Sequence, residues 1–165
     1  MLHTIDPASS PRAYPAHPLI GASIAVFRRF SGGLVPDYDA VLLARRTRPP
    51  FAGAFSLPGG LVEIGEHLET AALRELGEEV SVEARIVAFN RHVESIEEDS
   101  DHRIRFHFVI ASFVGEWLSG EGEIGPEASE ILWARPDALP IEMCTPMVGP
   151  VVASAYPLFL QNRRC

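Results

Sequence analysis

Glu75, Glu78 and Glu79 stand three and four residues apart at the end of a segment whose apolar residues repeat at helical spacing. At roughly 100° per residue, Ala72, Leu73, Leu76 and Val80 fall into one stripe expected to be buried, on a helix running from near Gly65 or Glu66 to about Glu79. The three carboxylates share the adjoining face, close to the protein body. Like charges at this spacing cost about 0.2–0.5 kcal/mol per pair on an exposed helix, and more in a cleft. Glu78 and Glu79 also lie in the last turn, where the dipole is negative and a basic residue is preferred. Gly77 in that turn costs about 1 kcal/mol relative to alanine. Arg74, four residues before Glu78, is the compensating charge within the helix. Three weakening features in one turn point to a cation as the missing partner. The competing reading is a solvated acidic face.

The chain around this helix has 165 residues, 47% of them apolar, enough for one domain with a self-sufficient core. Its 14 Lys+Arg against 22 Asp+Glu give a formal charge of −8, which argues against sequence-independent nucleic-acid binding and against an anionic membrane surface. A small anionic substrate is compatible, provided local arginines or a metal hold it. Cys144 and Cys165 show no disulfide or zinc spacing, so a reducing compartment, the cytoplasm, is expected. No apolar run reaches the roughly 20 residues of a membrane span. The amino terminus lacks the pattern of a secretory signal. With four prolines in its first 18 residues, segment 1–18 is expected to be a flexible or draped tail, leaving 19–165 as the domain.

Runs 19–29 and 40–46 are apolar and β-branched and predict a hairpin. A short strand at 51–60 stops at Pro58-Gly59-Gly60, and the acidic helix follows. Further strands are predicted at 82–92, 103–117 and 130–135, with the acidic stretch 94–101 as a solvated hairpin tip. Pro150 and Pro157 should break 144–162 into interrupted helix. This order predicts an α/β fold, a mixed sheet with helices packed on it.

Other chemistries lack their residues. Gly60 and Gly65 have the glycine spacing of a phosphate-binding P-loop, but Glu66 and His67 follow where Lys and Ser/Thr are required. There is no HExxH or GxSxG, and His92, His102 and His107 lack zinc-ligand spacing.

Residues 59–82, GGLVEIGEHLETAALRELGEEVSV, resemble the Nudix box: Gly, five residues, Glu, seven residues, then Arg-Glu-apolar-x-Glu-Glu-x-Gly-apolar. Gly60, Glu66, Arg74, Glu75, Leu76, Glu78, Glu79 and Val82 match in register. Ser81 departs from the pattern, standing where the family has glycine. The likeness extends through the upstream hairpin, the SLPGG turn, the strand ending in FHFVI and the run SEILWARPDAL, most of residues 19–140.

The resemblance implies an α/β/α sandwich and hydrolysis of a nucleoside diphosphate linked to another moiety, dependent on Mg²⁺ or Mn²⁺. The pattern looks most like bacterial ADP-ribose pyrophosphatases. A triphosphate pyrophosphatase that cleans the nucleotide pool, and a sensor that binds a nucleotide without cleaving it, are the alternatives. By resemblance Glu78 and Glu79 are the principal metal ligands, Glu75 adds a ligand or holds a bridging water, and the Gly59 carbonyl completes the site. Arg74 would orient glutamates, Glu66 would be a helix-start residue, and Glu130, with Glu127 behind it, would supply a later carboxylate as ligand or base. Of Arg45, Arg46 and Arg48, one is expected to bind substrate phosphate or ribose. Many relatives are homodimers, and the family partner is a small nucleotide.

Overall fold

The computed structural model describes residues 11–164. The elements run β1 (Leu19–Phe30), β2 (Tyr38–Arg46), β3 (Phe55–Ser56), β4 (Gly59–Leu61), α1 (Leu68–Val80), β5 (Glu83–Glu98), β6 (Ile104–Ser119), β7 (Ala128–Ala134) and α2 (Val148–Asn162). A single turn of 3₁₀-helix, Ile141–Met143, precedes α2.

Seven strands form one mixed sheet with the backbone order β3-β2-β1-β6-β5. β1 and β6 are parallel, and the other pairs are antiparallel. Alternation along the strands feeds two cores. Ile24, Val26, Leu42 and Ala44 meet Ala71, Ala72, Leu76 and Val80 of α1 on one face. Ala25, Phe27, Val41 and Leu43 meet Val148, Val152, Ala155 and Phe159 of α2 on the other. The result is the expected α/β/α sandwich. Among the described residues no helix is long and apolar enough to cross a membrane.

The sheet opens where the site lies. β1 pairs with β2 only at Phe27–Phe30 against Tyr38–Val41. Beyond that point the strands diverge: Gly21–Ser23 of β1 take β4, and Ala44–Arg45 of β2 take β3. The β3–β4 corner wedges between them, and the Pro58 carbonyl accepts the Ile24 N–H at 3.0 Å. Gly59 and Gly60 are thereby brought beside α1.

Four local expectations change. α1 begins at Leu68 rather than at Gly65 or Glu66, because residues before it form a tight turn with Gly65 at φ 83° and the Glu66 N–H on the Glu63 carbonyl. Its buried side contains Ala71, while Leu73 is exposed. The helix is rotated so that two alanines, with Ala22 of β1, share the contact. The acidic stretch is mostly strand: β5 continues to Glu98 in register with β6, and the tip is held by Asp99, whose carboxylate accepts the N–H groups of Asp101 and Arg103. Finally, α2 runs unbroken through both prolines. Pro150 lies in the first turn, where its missing N–H costs little. Pro157 removes one interior bond, against which Phe159 stacks on Phe27 at 5.0 Å in the core.

Ser81 ends α1 in the left-handed conformation, φ 54° and ψ 40°, with its N–H on the Gly77 carbonyl. The chain thus keeps the turn a glycine would make, at a cost on the order of 1 kcal/mol for a side chain with a Cβ. Ser81→Gly is expected to raise the melting temperature by about 2–4 °C. Thermal unfolding followed by circular dichroism measures this, and an unchanged or lower midpoint would mean that serine carries no such strain.

Candidate active site

α1 delivers its carboxylates in two directions. Glu75 and Glu79, one turn apart, face the β3–β4 corner and lie with Glu127 so that one carboxylate oxygen from each is within 4.8 Å of the others. Glu78 points elsewhere: its side chain is 64% exposed and accepts from Arg74 Nη1 at 3.1 Å. Of the three glutamates in the predicted cluster, the fold therefore gathers two and replaces the third with Glu127, from the loop before β7.

The corner glycines make this approach possible. The Gly59 N–H donates to Glu79 Oε2 at 3.2 Å. A Cβ at Gly60 would run into the Glu75 carboxylate, and one at Gly59 into the β1 backbone. Gly59 meets the cluster through its N–H.

Arg74 organises the other side. Its Nε and Nη2 grip both oxygens of Glu66 at 2.8 and 3.0 Å, Nη1 donates to Glu75 at 2.9 Å, and Nη2 also reaches the Leu61 carbonyl at 3.1 Å. Glu66, expected to start the helix, instead stands before it as a bidentate clamp on Arg74. The Arg74 hydrogen bonds, helped by the Glu63 N–H, pull its carboxyl down to about 2.

Glu127 arrives by a route that sequence spacing does not reveal. Thr47, just after β2, donates its hydroxyl to the Pro126 carbonyl at 2.7 Å and its N–H to the Glu127 carbonyl at 3.2 Å. Arg48 pairs with the Glu127 carboxylate at 2.5 Å. Pairing of β7 with β2, shifted by an irregularity between Ala44 and Arg46, sets this register. Glu130 lies farther along the strand, paired with Arg45 at 2.7 Å, and Arg45 also donates to the Gly53 carbonyl. The preference for Glu130 over Glu127 is therefore reversed in the geometry: Glu127 joins the cluster and Glu130 is held by a surface arginine.

Crowding is visible in the acid strengths. Burial pushes the Glu79 carboxyl up to about 7, opposed by the Gly59 N–H and reinforced by Glu75, with Arg46 partly offsetting. Burial also raises Glu75, while Arg74 lowers it. Carboxylates this close, furnishing only oxygen donors, fit a hard divalent ion.

The acidic recess is small, about 30 Å³, and adjoins a cavity of about 360 Å³. Arg12, Arg46, Ser56, Gly59 and Gly60 line both. Beyond that shared wall the larger cavity is mostly apolar, with Val93, Ile96, Phe108, Ile110, Met147 and Val151 in its lining. Of the three arginines, Arg46 faces both spaces, Arg48 faces the recess alone, and Arg45 lines neither. The cavity size is within the range of small-molecule sites.

Residues 20–153 match the NUDIX domain family. Among curated proteins, the chain is 32% identical over 98 residues to an ADP-ribose pyrophosphatase of Methanocaldococcus jannaschii, covering 59% of this chain and 56% of that protein. It is 38% identical over 112 residues to the NAD-capped RNA hydrolase NudC of Pseudomonas aeruginosa, covering 65% of this chain and 36% of that one. The chain thus spans about half or less of the length of these relatives. Among solved structures, a MutT NUDIX hydrolase from Burkholderia pseudomallei superposes with a TM-score of 0.67 at 26% identity, over 84% of this chain and 98% of that one. The NUDIX domain of Shewanella oneidensis NrtR, complexed with ADP ribose, shares the fold at a TM-score of 0.66 and 20% identity, over 86% and 88%.

Proposed function

This chain belongs to the Nudix family, and on that premise we propose that it is a divalent-metal-dependent pyrophosphohydrolase acting on a nucleoside diphosphate linked to a second moiety, with ADP-ribose or a related nucleotide sugar as the first candidate. The observation that carries this reading is the junction of two spaces. An oxygen-lined acidic recess opens, through a wall bearing Arg12 and Arg46, into an apolar cavity large enough for a nucleoside or sugar. A diphosphate whose phosphates lie at the recess and whose nucleoside or sugar enters the cavity suits such a site. Identity to an ADP-ribose pyrophosphatase supports the substrate class.

Glu75, Glu79 and Glu127 would hold the ion, with Glu78 at the rim as a further carboxylate reached through Arg74. Bound Mg²⁺ or Mn²⁺ would neutralise phosphate charge and acidify water. The protein's own part is to hold the donors in register. Gly59 fixes Glu79, Arg74 fixes Glu75, and Thr47 with Arg48 fixes Glu127. Arg46 faces the position of the phosphates and supplies positive charge opposite the glutamates. One water is consumed across the P–O–P bond, giving two phosphate esters.

Turnover on a panel of ADP-ribose, sugar nucleotides, dinucleotides and nucleoside triphosphates, with Mg²⁺ and with Mn²⁺, tests the reading. Release of two phosphate esters from ADP-ribose or a sugar nucleotide is the expected result. Preference for triphosphates with pyrophosphate release would move the chain to the nucleotide-cleaning class, and silence across the panel would defeat the proposal. The loop carboxylates give a sharper comparison: Glu127→Gln is expected to lower kcat/KM roughly 10²-fold, and Glu130→Gln less than about fivefold. The opposite ranking would place the later carboxylate of the reaction at Glu130.

A further inference from the structure

The segment before β1 is docked on the far hairpin and carries an arginine into the site. The Tyr14 N–H donates to the Arg105 carbonyl at 2.8 Å, and its hydroxyl donates to Asp99 Oδ2 at 2.9 Å. Arg103 lies over the Tyr14 ring at 5.0 Å and pairs with the same Asp99. Tyr14 itself has φ 53°, a conformation unfavourable for an aromatic residue and held by these contacts. The strap is thus fixed to the β5–β6 tip two residues after Arg12. Arg12 lines both the acidic recess and the apolar cavity. Arg12 and Tyr14 both precede residues 20–153, which match the family.

Arg12 has Arg46 for a neighbour. Burial draws the Arg46 pKa down, Glu79 raises it again, and Arg12 lowers it as a like charge close by. Two guanidiniums line one wall of both spaces, and their planar forks suit phosphate oxygens.

We propose that Arg12, presented by the Tyr14-anchored strap, is a substrate-binding residue that grips the diphosphate together with Arg46 at the boundary of the two cavities. This rests on the pyrophosphohydrolase reading.

The test uses the full chain with Arg12→Ala, Arg12→Lys and Tyr14→Ala. Three quantities are read: kcat and KM for ADP-ribose with Mg²⁺, calorimetric Kd for ADP-ribose in EDTA, and Mn²⁺ binding by electron paramagnetic resonance. Arg12→Ala is expected to raise KM and Kd about 10–100-fold. Mn²⁺ binding should not weaken, because a cation has left the recess wall. Arg12→Lys should recover part of the loss, and Tyr14→Ala, which releases the anchor and keeps the charge, should give a smaller rise in KM. Tyr14→Ala also keeps the test decisive should Arg12→Ala fail to fold. Unchanged KM and Kd in these variants beside an active wild type would overturn the role of Arg12 and leave the hydrolase reading standing. A wild type that neither binds nor cleaves ADP-ribose or any member of the panel would overturn both.

Discussion

Glu79→Gln is expected to reduce turnover roughly 10³-fold while making the metal-free protein more stable at pH 8. The two effects have one cause. Burial pushes the Glu79 carboxyl up to about 7 from 4.5, with Glu75 and Glu127 beside it. Because the folded-state value is raised, the folded protein binds this proton more tightly than the unfolded chain. Stability from this group is then complete below about pH 4.5, falls as pH rises toward 7, and is lost above it. The loss is at most about 3 kcal/mol, by the free-energy equivalent of the shift. Glutamine cannot ionise, yet its carbonyl oxygen can still accept the Gly59 N–H. The variant should therefore melt higher than wild type at pH 8 in EDTA, and similarly at pH 5. Steady-state product release and pH-resolved melting curves measure the pair. Wild-type turnover in the variant would remove Glu79 from the reaction, and a lower melting point at pH 8 would show that its charge is already compensated in the metal-free protein.

Divalent cations should reverse the same penalty. Chelation with EDTA is expected to abolish turnover, and millimolar Mg²⁺ or Mn²⁺ to restore it. A ligand at 100 times its Kd contributes about 2.7 kcal/mol to the folded state. For a domain of this size, that raises the melting temperature by about 5–10 °C. The rise should be larger at pH 8 than at pH 6, because at pH 6 an ion must first displace the proton from Glu79. Glu66 behaves oppositely: Arg74 holds its carboxyl near 2, so the clamp persists through this range and fails only as pH falls from about 4.5 toward 2. Differential scanning fluorimetry across pH with and without Mg²⁺ separates the two groups. A melting curve indifferent to millimolar divalent ions at pH 8 would show that no ion occupies the acidic recess.

The helix bearing the cluster was legible because its signals are local. Apolar spacing identified the face, and the collision of Glu75, Glu78 and Glu79 at the negative end of a dipole identified an electrostatic problem to be solved. Which carboxylates meet was not legible. Periodicity places all three within one sector, but Arg74 binds Glu78 at the rim, while Glu75 and Glu79 face the glycine corner. Glu127 lies 48 residues beyond Glu79 and enters through Thr47 and the register of β7 on β2, a non-local pairing. The unbroken α2 is a second instance of tertiary override: burial of Val151, Ala155 and Phe159 outweighs what Pro157 removes.

Sequence alone determined a mixed sheet with helices packed on it and the acidic helix, since these depend on residue type and period, and the likeness to the Nudix box implied the α/β/α layering. The tertiary structure decided the membership of the cluster, the clamp of Glu66 on Arg74 and the course of the Tyr14 strap. Those depend on the divergence of β1 from β2 and on the docking of distant loops. Their contacts join residues whose separation along the chain carries no periodic trace.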